Sequence, residues 1–103
     1  MRFDCAVYSN IGGRDVNEDS TLCRQQESTL LAAVADGLGG HGGGEIASST
    51  ALSALEASLP RLIPPTEETL RTVCAELNLA VLAKQTEQLK MKTTLAMALT
   101  NGE

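Results

Sequence analysis

The chain has 103 residues, 43% of them hydrophobic and 20% charged, which is enough apolar content for one small domain and no more. Thirteen acidic against eight basic residues give a net charge of −5, which argues against nucleic acid and anionic membrane as partners. One Phe, one Tyr and no Trp leave no platform for stacking bases, and no apolar run approaches the roughly 20 residues of a membrane span.

Residues 2–8, RFDCAVY, alternate Phe3, Cys5 and Val7 against Arg2 and Asp4, a period of two that predicts a strand. The opening MRFDC lacks the apolar stretch of a secretory signal, so a cytoplasmic protein is expected. Asn10 to Gly13, NIGG, is a turn signal, and residues 20–25, STLCRQ, predict a second short strand. Residues 29–35, TLLAAVA, form a continuous apolar run that stops at Asp36-Gly37, which predicts a strand buried on both faces.

Six glycines fall in the eight positions of GLGGHGGG, residues 37–44, and predict an irregular loop. Glu45 then opens a helix. Ala47, Ala51, Leu52, Leu55 and Leu59 make its apolar face, with Ser48, Ser49, Ser53 and Glu56 opposite, until Pro60 ends it. After Pro64 and Pro65, Thr66 is the predicted N-cap of a second helix over 66–89. Glu67 and Glu68 suit its positive end, and Leu70, Val73, Cys74, Leu77 and Val81 share one face. Residues 91–100, MKTTLAMALT, predict a further strand, and Asn101-Gly102 a hairpin turn. The partner strand of that hairpin is missing, so the sequence is expected to be truncated. Cys5, Cys23 and Cys74 are odd in number and contain no CxxC pair, which predicts free thiols in a reducing compartment.

Two clusters carry the candidate chemistry. One is Arg14-Asp-Val-Asn-Glu18-Asp19; the other is Asp36-Gly37-Leu-Gly-Gly-His41, at the end of an apolar strand. Glu18, Asp19 and Asp36 are hard oxygen donors suited to Mg²⁺ or Mn²⁺. Glycine at 37 lets a backbone carbonyl approach an ion, and Arg14 offers a donor fork that matches phosphate. Read alone, each cluster has a plainer alternative: a solvated surface loop for the first, a tight turn or a phosphate cradle for the second. GxGxxG occurs at 37–42, but glycine this dense satisfies many patterns, and no lysine follows as a phosphate-binding loop requires.

Together, SNIGGRDVNEDS, AVADGLGGHGGGEIAS and MKTTLAMAL, in this order and spacing, resemble the metal-dependent protein phosphatase family, also called protein phosphatase 2C, and its bacterial branch most closely. The resemblance spans essentially the whole chain. It implies an α+β fold, part of a four-layer α-β-β-α sandwich whose antiparallel sheets are flanked by helices. It also implies a serine/threonine phosphatase in which water between two Mn²⁺ or Mg²⁺ ions attacks phosphorus. By motif, Asp36 would bridge the metals and Glu18 and the Gly37 carbonyl would bind one of them. Asp19 would orient metal-bound water or touch the metal weakly, and Arg14 would hold the substrate phosphate. The physical logic agrees, because divalent ions neutralise a phosphate dianion that would otherwise repel hydroxide. Partners implied are a phosphoprotein substrate and an opposing serine/threonine kinase, with no nucleic acid and no membrane.

Three departures from the pattern bear on this expectation. Leu38 stands where animal members carry His, so His41 inherits no role by alignment. Lys92 stands where Gly is usual in the strand motif. Members run to well over 200 residues, and their later aspartates have no counterpart among residues 1–103, which therefore read as the N-terminal portion of one catalytic domain. With strand edges and apolar faces left unpaired, the isolated chain is expected to self-associate, to be poorly soluble or to need the missing half. The competing readings are a non-catalytic regulatory or binding fragment of the same fold and a nucleotide-binding module.

Overall fold

A computed structural model describes residues 17–100. The predicted strand over 2–8, the turn at Asn10–Gly13, the turn at Asn101-Gly102 and Arg14 lie outside the described residues. Within them the order is β1 (Asp19–Gln26), β2 (Thr29–Gly39), α1 (Gly43–Ala57), a short 3-10 turn (Leu59–Leu62), α2 (Glu67–Ala83), β3 (Met91–Thr93) and β4 (Ala96–Thr100). The class is α+β. β2 is the centre of a four-stranded antiparallel sheet, with β1 along one side and β3 and β4 along the other.

The helices cover one face of this sheet. Leu22, Leu31, Ala33 and Ala35 point into a core with Leu52 and Leu55 of α1, Leu59 and Leu62 of the 3-10 turn, and Val73 and Leu77 of α2. Leu31, Leu55, Leu62 and Val73 are completely buried. The layering is that of half an α-β-β-α sandwich. β2 is not buried on both faces as its apolar run predicts: burial alternates along it, and Val34 and Leu38 are 51% and 56% exposed. Small side chains explain the difference, since Ala32 and Val34 add apolar character on the open face without contributing bulk to the core.

Further boundaries differ for identifiable reasons. β2 continues through Asp36-Gly37-Leu38 to Gly39, because β3 pairs with it there, Gly37 with Thr93 and Gly39 with Met91. α1 starts at Gly43, two residues early, from Gly42 in a left-handed conformation with φ 79°. Ser48, expected on the polar face, is fully buried and its hydroxyl bonds Ser20 Oγ at 2.9 Å. α2 starts as predicted, with Thr66 and Thr69 forming a reciprocal capping box. It stops at Ala83 rather than 89, because Leu89 turns back to pack with Ala47, Ala51, Val81 and Met91. Cys74, expected on the apolar face, is exposed and free. Cys23 is disulfide-bonded, contrary to the free-thiol expectation.

The 3-10 turn is tied to α2 by a bidentate pair, Arg61 Nη1 and Nη2 to Glu76 Oε2 and Oε1 at 2.6 and 3.1 Å. Hydrogen bonding from Arg61, with its charge, holds the Glu76 carboxyl below its ordinary range. A depressed folded-state pKa contributes stability above the unfolded value of about 4.3 and loses it as pH falls through the folded value. Glu76→Gln is therefore expected to lower the urea midpoint slightly at pH 7, the pair being solvent-exposed. The two proteins should converge below the carboxylate range, and a gap independent of pH would disprove this role.

Candidate functional site

The period of two along a strand sorts the acidic residues. Asp19 opens β1 and is the direct register partner of Asp36 on β2. Both are exposed, on the sheet face opposite the helices. Carboxylates directly opposite one another repel, which is an arrangement that a divalent cation relieves. Glu18, one residue earlier, goes the other way. Its backbone carbonyl accepts the Gly37 N–H at 3.0 Å, and its carboxylate is seated against Gly44 in the first turn of α1. There the positive end of the helix dipole favours its charge.

This crossing of β2 and α1 is possible only without side chains. A Cβ on Gly37 would fall 2.9 Å from Gly44 Cα and still closer to the Gly44 carbonyl. A Cβ on Gly44 would run into the Glu18 carboxylate and fall 2.8 Å from the Gly37 carbonyl carbon. The strand carrying Asp36 and the turn holding Glu18 are thus fixed at backbone contact distance.

The other side of Asp36 is held by Thr94. The predicted continuous strand over 91–100 is interrupted at Thr94-Leu95. Thr94 N–H donates to the Asp36 carbonyl at 2.9 Å, and the Asp36 N–H donates to Thr94 Oγ1 at 3.2 Å. A side-chain oxygen thus takes the place of a ladder carbonyl, while the Thr94 carbonyl accepts from Thr93 Oγ1 at 2.8 Å. Removing the hydroxyl leaves the Asp36 amide without its acceptor. Thr94→Val is expected to cost about 1 kcal/mol and to speed exchange of the Asp36 amide hydrogen about fivefold, with Thr94→Ser restoring both. Unchanged exchange would show that this bond does not hold Asp36.

An open pocket of about 410 Å³ adjoins Asp36, lined also by Gly37, Leu38, Lys92, Thr93 and Thr94. A second groove, about 430 Å³, runs between α2 and β3–β4 past Leu77, Val81, Met91 and Met97. It contains none of the acidic residues. His41 is exposed, with φ 56°, in the turn before α1.

The structure therefore brings Asp19 to Asp36, and Glu18 to Gly37 and Gly44. Among the described residues no three of His, Cys, Asp and Glu come together as a metal-binding cluster. The donor set still has the chemistry of a hard-cation site: adjacent carboxylates on one face, with none of the thiolate or imidazole ligands that would favour zinc. Sequence reasoning missed Thr94 and Gly44. The only signal for Thr94 is a Thr-Thr pair amid an apolar strand; for Gly44 it is one glycine among six.

A model of the family described as protein phosphatase 2C matches residues 8–103. No curated protein and no solved structure matches significantly.

Proposed function

This chain belongs to the protein phosphatase 2C family, and from that premise we propose that it serves a metal-dependent serine/threonine phosphatase as the N-terminal portion of the catalytic domain. The observation that carries the proposal is the cross-strand pair Asp19–Asp36 beside an open pocket. A substrate there is a phosphoserine or phosphothreonine of a protein phosphorylated by a serine/threonine kinase.

In this reading Asp36 would be the principal residue holding Mg²⁺ or Mn²⁺, with the Gly37 carbonyl as a further oxygen donor beside it. Asp19, in register with Asp36, would orient water at the ions or contact one weakly. Glu18, which the resemblance makes a ligand, also anchors the start of α1 against Gly37. Bound ions supply Lewis-acid charge and lower the pKa of their water. Thr94 fixes the Asp36 backbone so that its carboxylate needs no reorganisation. Arg14, outside the described residues, binds the phosphate oxygens through its planar donor fork. Ligands that complete the coordination come from outside residues 17–100.

One observation favours the second reading, a non-catalytic fragment: the described residues assemble no three-ligand cluster. Mn²⁺ binding followed by electron paramagnetic resonance separates the two, with hydrolysis of p-nitrophenyl phosphate as the companion assay. Mn²⁺ binding and hydrolysis that both require Asp36 support the phosphatase reading. Absence of Mn²⁺ binding supports the fragment, and either activity surviving Asp36→Ala removes Asp36 from its role. No helix of the described residues is long and apolar enough to cross a membrane.

A further inference from the structure

We propose that Lys92 binds the substrate's phosphate group at this site, as a specificity-determining residue on the β3 side of Asp36; the inference rests on the phosphatase reading above. Lys92 pairs with Leu38 across β2 and β3. Leu38 is two residues beyond Asp36 on the same strand, so Lys92, Asp36 and Asp19 share the face that the helices leave open. Diagonal cross-strand neighbours lie about 7–8 Å apart, within reach of a long side chain. Lys92 and Asp36 line one pocket of about 410 Å³, and Lys92 is the pocket's only cation among the described residues.

The position of this lysine beside Asp36 is what distinguishes it, since Lys84 and Lys90 are likewise exposed and outside the ion pairs of the described residues. Arg24, Arg61 and Arg71 are each committed to a carboxylate, at 2.7, 2.6 and 2.6 Å. Lys92 is exposed and makes no ion pair with a described residue. It makes no ion pair with Asp36, so the ammonium remains open to the pocket that the two residues line. Carboxylates alone would repel a phosphate monoester. With a divalent cation on the aspartates and an ammonium two residues along the face, the pocket presents positive charge from two directions. An ammonium on a flexible stem suits this task, because it binds phosphate as a point charge without demanding one geometry. Leu38 beside it provides an apolar floor.

The test uses ¹⁵N-labelled chain titrated first with Mg²⁺ and then with O-phosphoserine, following the amides of Gly37, Leu38, Lys92 and Thr93. Lys92→Met is expected to weaken phosphoserine binding about tenfold, the scale of one charge-assisted contact, and Lys92→Arg to keep it within about threefold. The position is exposed, and an unchanged amide spectrum elsewhere confirms that the variant is folded. Mg²⁺ shifts should persist in Lys92→Met and vanish in Asp36→Asn. Phosphoserine binding equally tight in Lys92→Met overturns the inference, and Asp36-dependent Mg²⁺ binding in the same experiment leaves the phosphatase reading intact. Absence of any Mg²⁺ effect in the parent protein overturns that reading; Lys92-dependent phosphoserine binding without Mg²⁺ would support the lysine's role by itself.

Discussion

Asp36→Asn is expected to lower Mn²⁺ affinity by at least about 100-fold, because even partners of metal ligands cost about 10- to 100-fold when removed. Hydrolysis that depends on Mn²⁺ should fall with it. The change preserves the volume of the side chain and the backbone bonds to Thr94, so the fold has little reason to respond. Without metal, the variant should be as stable as the parent or slightly more stable. The substitution removes one of two carboxylates that face each other across β1 and β2, and such cross-strand effects are worth roughly 0.2–1 kcal/mol.

Metal reverses that order. A ligand that binds only the folded state stabilises it by about 2.7 kcal/mol at 100 times its dissociation constant. Added Mn²⁺ should therefore raise the urea midpoint of the parent and leave that of Asp36→Asn almost unmoved. The crossing of the two stability curves is the signature sought. Two parallel curves, with Mn²⁺ stabilising both proteins equally, would mean that the cation sits elsewhere.

The helical half of the fold was legible in the sequence, and the way the strands meet was not. Thr66, Glu67 and the spacing of Val73, Leu77 and Val81 specify α2 locally, through a cap and a repeat that need no partner. The pairing of Asp19 with Asp36 depends on the register of β1 with β2, a non-local property. β2 was misjudged for a related reason. TLLAAVA is apolar throughout, but apolar character alone does not distinguish a strand with two covered faces from one whose second face is alanine and valine. The glycine run from 37 to 44 reads locally as a loop. Its first glycines belong to a strand and its last two to a helix, because what they permit is an approach between elements. Residues 2–8 and Arg14 lie outside the described residues, so their predicted roles stand as proposals.

That approach is open to a direct test. Gly37→Ala is expected to destabilise the protein by about 3 kcal/mol, at the upper end of overpacking effects, or to prevent folding. The added methyl group would stand 2.5 Å from the Gly44 carbonyl carbon and 2.9 Å from its Cα. Both are backbone atoms at the start of α1, so no rotamer change relieves the clash and the helix itself must move. Gly40→Ala is the matched control, because nothing lies within 4 Å of a Cβ there and its φ is not left-handed. Both variants lose the same unfolded-state freedom, which by itself favours the folded state by about 0.4–1 kcal/mol. Gly40→Ala should accordingly match or exceed the parent in urea denaturation while Gly37→Ala falls far below it. The consequence extends to the site, since the Gly37 N–H bonds the Glu18 carbonyl and Gly44 backs the Glu18 carboxylate. A helix pushed off β2 takes that support with it, and Mn²⁺ affinity should fall in whatever fraction of Gly37→Ala remains folded. Equal midpoints for the two alanine variants would mean that strand and helix can separate freely, and that glycine at 37 serves something other than their contact.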